Sequence, residues 1–149
     1  MYRSLGMSHG QLLALHGMMV LAGRPDRRTS SGLLKEALGA SRQYLYKIME
    51  RLEQAGLVAG TAGFLGGFEL ARPSGEITLL EIFSAAGGNP FGHACLLAKR
   101  KCRGTPCGLG LLAEKLNREF LEYLAATRLS EFRGRLKIRE AALGFREKN

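Results

Sequence analysis

The chain has 149 residues, 46% of them hydrophobic, which suffices for one compact core plus an extension but is short for two independent domains. Twenty-two Lys and Arg against 13 Asp and Glu give a formal charge of +9, which favours a polyanionic partner such as nucleic acid or an anionic membrane surface. All three cysteines fall between Cys95 and Cys107, which excludes the paired framework of a secreted mini-protein and fits a reducing, cytoplasmic compartment.

Arg3 precedes the apolar run from Leu12 to Ala22, which has the length of a signal-peptide core. His16 interrupts that run and no A-x-A-like site follows, so it reads as a first helix over Gln11 to Leu21. The run is also too short to span a bilayer, and no membrane partner is expected. Gly23 to Arg28 forms a loop. Thr29, Ser30 and Ser31 then offer N-caps for a short helix through Leu33, Leu34 and Leu38.

After a break at Gly39-Ala40, Ser41 caps a third helix, whose apolar residues Tyr44, Leu45, Ile48, Met49 and Leu52 form one stripe of 3.6-residue period. Gly56 is its natural stop. Two short helices joined by a tight turn have the form of a helix-turn-helix, the second presenting Arg42, Gln43, Tyr46, Lys47, Glu50 and Arg51 on its polar face. Lys47 and Arg51 are i, i+4 cations suited to phosphates, and Arg42 and Gln43 stand at the helix start, where base edges are read. A charged stripe is also the ordinary dress of a solvated helix face.

Beyond Gly56 the period changes. Leu57-Val58-Ala59 and Phe68-Glu69-Leu70 are strand candidates around the glycine-rich tip Gly63-Phe64-Leu65-Gly66-Gly67. A helix-turn-helix followed by a hairpin is a winged helix. Thr78 and Glu81 form a capping box for a helix through Leu79, Leu80, Ile82 and Phe83, ended by Gly87-Gly88-Asn89-Pro90.

The loop from Phe91 to Gly108 holds every cysteine. Its chemistry has four readings. Cys95, Cys102 and Cys107 are buried free thiols, zinc ligands together with His93, a thiol–disulfide switch primed by Lys99, Arg100, Lys101 and Arg103 around Cys102, or ligands of an iron–sulfur cluster. A long helix follows, with Leu109, Leu112, Leu116, Phe120, Tyr123 and Thr127 at near-heptad spacing. Its roughly 20 residues would run about 30 Å, more than a three-helix head needs, so the stripe asks for a partner.

The expected class is therefore mainly α with a small β-hairpin wing: a winged helix-turn-helix head over 1–87, a cysteine loop over 88–108, a dimerisation helix over 109–132 and a basic, partly disordered tail over 133–149. No Ser/His/Asp set, paired carboxylates or HExxH motif argues for catalysis, so the chain is not expected to be an enzyme.

Ser41-Arg42-Gln43-Tyr44-Leu45, Ala55-Gly56-Leu57-Val58, the run Gly66-Gly67-Phe68-Glu69-Leu70-Ala71-Arg72-Pro73 and Glu76-Ile77-Thr78-Leu79-Leu80-Glu81-Ile82 resemble the signature of one bacterial regulator family. It includes the iron–sulfur cluster regulator, the nitric-oxide-sensing repressor and the cysteine-metabolism repressor, and the resemblance runs from about Gln11 to Thr127. It implies a homodimer built on the long helix. It also implies a [2Fe-2S] or [4Fe-4S] cluster on Cys95, Cys102 and Cys107, with zinc as the alternative. The cysteine gaps of six and then four residues depart from the even spacing common in the family.

Where some relatives place a histidine after the third cysteine, this chain has Gly108-Leu109-Gly110. Others borrow a ligand from the first helix of the partner subunit; the carboxylate place falls on Leu12 and the histidine place on His16. Ser41 to Arg51, with Tyr44 among its DNA contacts, is implied to enter the major groove, with Tyr46 and Lys47 at base-reading places. Gly63 to Phe68, Gly66 and Gly67 included, is implied to lie near the backbone or minor groove, although Ala62 stands where the family often has arginine. The implied function is a dimeric repressor or dual regulator that senses redox, nitric oxide or iron–sulfur status and reads an imperfect palindrome in double-stranded DNA. A small iron–sulfur redox protein with a basic surface is the competing class.

Overall fold

The computed structural model of the protein describes residues 7–87 and 107–135. Helix α1 (His9–Ala22) begins two residues before the expected Gln11, because Ser8 and Gln11 close a capping box. The Gln11 amide donates to Ser8 Oγ at 3.2 Å and the Ser8 amide to Gln11 Oε1 at 2.7 Å, which satisfies two orphan donors of the first turn. Apart from His9 and His16 this helix is buried or half-buried along its length, as suits an element apolar all round at the centre of the head.

Ser30 caps α2 (Ser31–Leu38) and Ser41 caps α3 (Arg42–Gln54). Leu45, Ile48, Met49 and Leu52 form the buried stripe of α3, packed with Met18 and Leu21 of α1 and Leu34 of α2 in one core. Strands β1 (Val58–Thr61) and β2 (Gly67–Leu70) pair antiparallel from Val58↔Leu70 to Thr61↔Gly67. Thr29, in the loop before α2, adds a third edge: its amide donates to the Phe68 carbonyl and the Phe68 amide to its own carbonyl, both at 2.9 Å.

Helix α4 (Leu79–Ala85) starts in the expected capping box of Thr78 and Glu81. Helix α5 (Gly108–Ala126) is shorter at its C-terminal end than the sequence suggests. Beyond Thr127 the chain turns back on the head, where Leu129–Phe132 forms a 3-10 turn with Leu129 buried. Leu79 donates to the Thr127 carbonyl at 3.1 Å and Leu129 to the Ile77 carbonyl at 2.9 Å, so the base of α5 is bonded to the start of α4.

The heptad stripe read on α5 divides in space. Phe120 meets Phe83 of α4 edge-on with centroids 5.6 Å apart, and Leu124 and Thr127 are buried in the head. Leu109, Leu112, Leu116 and Tyr123 are exposed. A mainly helical head with a two-stranded wing and a long C-terminal helix is the architecture expected from the sequence. The tail beyond Arg135 lies outside the described residues.

Candidate nucleic-acid interface

Ser41 Oγ accepts the Tyr44 amide at 3.3 Å and so fixes the start of α3 beside the turn from α2. Arg42, Gln43 and Lys47 are exposed there, and among the described residues Lys47 makes no ion pair. Tyr46 is 42% exposed and ties three elements together. Its ring stands 5.7 Å below the Arg42 guanidinium and meets Phe68 of β2 edge-on, with centroids 5.9 Å apart. Hydrogen bonding to Ser31 of α2, and then to Arg42, holds its hydroxyl below the usual phenol range.

Two residues of the stretch from Ser41 to Arg51 have partners within the head. Tyr44 stacks parallel on His9 of α1 with ring centroids 5.3 Å apart and is half-buried, so it takes part in the packing of α3 on α1. Arg51 donates from Nη1 to the Ala86 carbonyl at 2.6 Å, where α4 ends. A guanidinium at that place satisfies an orphan carbonyl and complements the negative end of the helix dipole. Lys47 and Arg51, paired by spacing in the sequence, thus have different roles in space.

The double glycine of the wing is explained by packing. A Cβ on Gly66 would collide with the Thr61 carbonyl, and one on Gly67 would lie 2.5 Å from the Thr29 carbonyl. Gly66 also donates to the Gly63 carbonyl at 3.0 Å, closing the tip. At the wing's base Arg28 bridges Glu69 at 3.3 Å, and Arg72 bridges Glu81 at 2.8 Å. Bonds from the Thr78 backbone and from Arg72 hold the Glu81 carboxyl at about 2.

Of the expected ligands, Cys95, Cys102 and the rival His93 lie outside the described residues. Cys107 is exposed at the N-cap of α5. His16 is exposed on α1 and donates from Nδ1 to the Leu12 carbonyl at 2.7 Å, which leaves the neutral ring's lone pair on Nε2. A cysteine sulfur and an imidazole oriented by a backbone bond are residue types suited to iron or zinc. Among the described residues no three His, Cys, Asp or Glu side chains come together, and no helix is long and apolar enough to cross a membrane.

Gln11 escapes notice as a functional position in the sequence, and Arg51 is read there only as a phosphate contact. Gln11 Nε2 donates to the Gly87 carbonyl at 3.2 Å, one residue beyond the carbonyl held by Arg51. The two side chains clamp the point from which the cysteine segment departs. Gln11, at N3 of α1, was detectable only as a capping residue.

A helix-turn-helix followed by a hairpin and a long C-terminal helix defines a winged-helix protein of the regulator type. Residues 7–133 match the family Rrf2, described as an iron-dependent transcriptional regulator, and the chain belongs to that family. The family is one of transcriptional regulators and not of enzymes. The HTH-type regulator YwgB of Bacillus subtilis is 34% identical over 83 residues, 55% of this chain and 53% of its own length. The HTH-type regulator YffB of Lactococcus lactis has the same identity and coverage, so the chain spans about half the length of these relatives.

An HTH-type regulator of Aquifex aeolicus is 27% identical over 121 residues, 79% of this chain and 84% of its own. Among solved structures, the cysteine regulator CymR of B. subtilis superposes with a TM-score of 0.67 at 22% identity, covering 84% of this chain and 93% of its own. T. potens IscR does so at 0.64 and 22%, covering 84% and 83%. These likenesses establish the fold.

Proposed function

We propose that the chain is a homodimeric, cytoplasmic DNA-binding transcription regulator, most simply a repressor, whose affinity for duplex DNA is set by chemistry at its cysteine segment. The observation that carries the proposal is the start of α3, where Arg42, Gln43 and Lys47 are exposed beside a wing held in register with them. The +9 charge supplies the sequence-independent attraction to phosphates. The exposed leucines of α5 favour pairing of two copies, which would present two α3 helices to half-sites of an imperfect palindrome.

Cys95, Cys102 and Cys107, with His16 contributed by the partner subunit, would hold an iron–sulfur cluster, which supplies sensitivity to redox state and nitric oxide when bound. Zinc on the same cysteines is the alternative. Any change at that segment can alter DNA affinity only by favouring a different placement of the α3 helices. Arg51 and Gln11 supply a connection, because α3 and α1 each grip a carbonyl at the root of the segment. The test is anaerobic purification followed by iron and sulfide analysis, and titration of duplex DNA with loaded and stripped protein. A colourless protein with stoichiometric zinc moves the site to zinc. Affinity equal for all sequences and both loading states defeats the regulator reading in favour of a redox protein with a basic surface.

A further inference from the structure

The wing ends in two apolar side chains that the fold does not use. Phe64 is 103% exposed and Leu65 86%, the most exposed large hydrophobics among the described residues. They stand between Gly63, at φ 107°, and Gly66, whose amide closes the turn onto the Gly63 carbonyl at 3.0 Å. The stalk beneath them is stiff. Four residue pairs join β1 to β2, Thr29 adds two bonds to Phe68, and Phe68 packs against Tyr46 of α3. The tip therefore stands at a fixed offset from the exposed start of α3.

No residue from Gln54 to Phe68 carries a charge, while the base of the wing carries Arg27 and Arg28. A tip that neutralised phosphate charge would need cations, and its uncharged surface offers none. Two bulky apolar side chains, flanked by glycines that keep the profile thin, suit a narrow slot between stacked flat groups. The minor groove, about 6 Å wide, admits such a tip, and Phe and Leu can wedge between base steps there and unstack them.

On these grounds we infer that Phe64 and Leu65 form an apolar wedge that enters the minor groove of duplex DNA beside the segment faced by α3 and kinks it at one base step. The inference rests on the reading of α3 as a DNA-recognition helix. Pyrimidine–purine steps, which unstack most easily, are the preferred sites.

The test uses the full-length chain and end-labelled 30-bp duplexes enriched from a random pool by the wild-type protein. Bending is followed by energy transfer between the ends, and unstacking by 2-aminopurine placed at steps flanking the enriched core. Wild type should shorten the end-to-end distance and raise 2-aminopurine fluorescence at one step. The double variant Phe64→Ala, Leu65→Ala should lose both signals and bind about 10-fold more weakly, with its melting temperature and its slope of log affinity against log salt unchanged. Phe64→Trp should keep the bend.

A double variant that binds and bends as wild type does overturns the wedge, while a Lys47-dependent salt slope in the same titration leaves the α3 reading standing. Wild-type protein that enriches no sequence overturns both. Loss of affinity with no bend in the wild-type complex overturns the wedge and assigns the tip to another contact.

Discussion

The ring of Tyr46 on α3 meets that of Phe68 on β2 edge-on, centroids 5.9 Å apart and planes at 64°, so an aromatic contact joins the Gly60 amide's bond to Glu53 in registering the wing to α3. Edge-to-face pairs contribute about 0.5–1.5 kcal/mol beyond their buried area. A double-mutant cycle of Tyr46→Ala and Phe68→Ala, read by urea denaturation, should return a coupling of about that size. Coupling near zero would show that the wing is held by its backbone pairing alone. Tyr46→Phe keeps the ring contact and removes the bonds to Ser31 and Arg42, and should cost only about 1 kcal/mol.

Lys47 and Arg51 should separate cleanly in the same pair of experiments. Lys47→Ala should lower the salt slope of duplex binding by about one and weaken all sequences alike, with no change in stability. Arg51→Ala should leave the slope unchanged and cost about 1–3 kcal/mol in stability, because the Ala86 carbonyl at the end of α4 loses its donor. A slope change in Arg51→Ala would place its guanidinium on a phosphate after all.

The Glu81 carboxyl is depressed from an ordinary 4.5 to about 2, chiefly by the Thr78 backbone bond and then by Arg72. A group whose folded pKa is lowered adds stability above its unfolded value and loses it as pH falls towards its folded value. Glu81→Gln should therefore destabilise the protein at pH 7, by about 1 kcal/mol or less at this solvent-screened site, and the difference should vanish between pH 4.5 and 2. Denaturation midpoints of both proteins across that range provide the check. A difference that persists at pH 2 would mean that the amide fails for geometric reasons, not for want of charge.

On α5, Leu112 and Leu116 are exposed while Phe120 and Leu124 pack on the head. Leu112→Glu with Leu116→Glu should shift sedimentation from dimer to monomer and leave the melting of the head intact. A dimer that survives both changes would move the subunit interface off this face of the helix.

His16→Ala, reconstituted without oxygen, should still dimerise but give an altered cluster spectrum and faster loss of iron in air, since an imidazole with its Nε2 lone pair outward is removed. His93→Ala is measured beside it. Wild-type behaviour of the first together with loss in the second would confine the ligand set to one chain.

The alternation of caps, periods and glycine stops was legible in the sequence because each is local. Ser41 with Tyr44, Thr78 with Glu81 and the stripe from Leu45 to Leu52 interact within a few residues, so helix starts and the buried face of α3 follow from spacing alone. The double glycine of the wing and the run from Glu76 to Ile82 carried the family resemblance for the same reason. Residues whose partners are distant in the chain could not be placed this way. Arg51 shares a polar face with Lys47 on any helical projection, yet its partner is 35 residues away at the end of α4. Tyr44 falls on the apolar stripe by spacing, but that its ring meets His9 depends on where α1 lies. The α5 stripe looks continuous until Phe83 claims Phe120, leaving Leu109, Leu112 and Leu116 exposed. Periodicity tells which residues share a face, and only the packing of one element on another decides what that face meets.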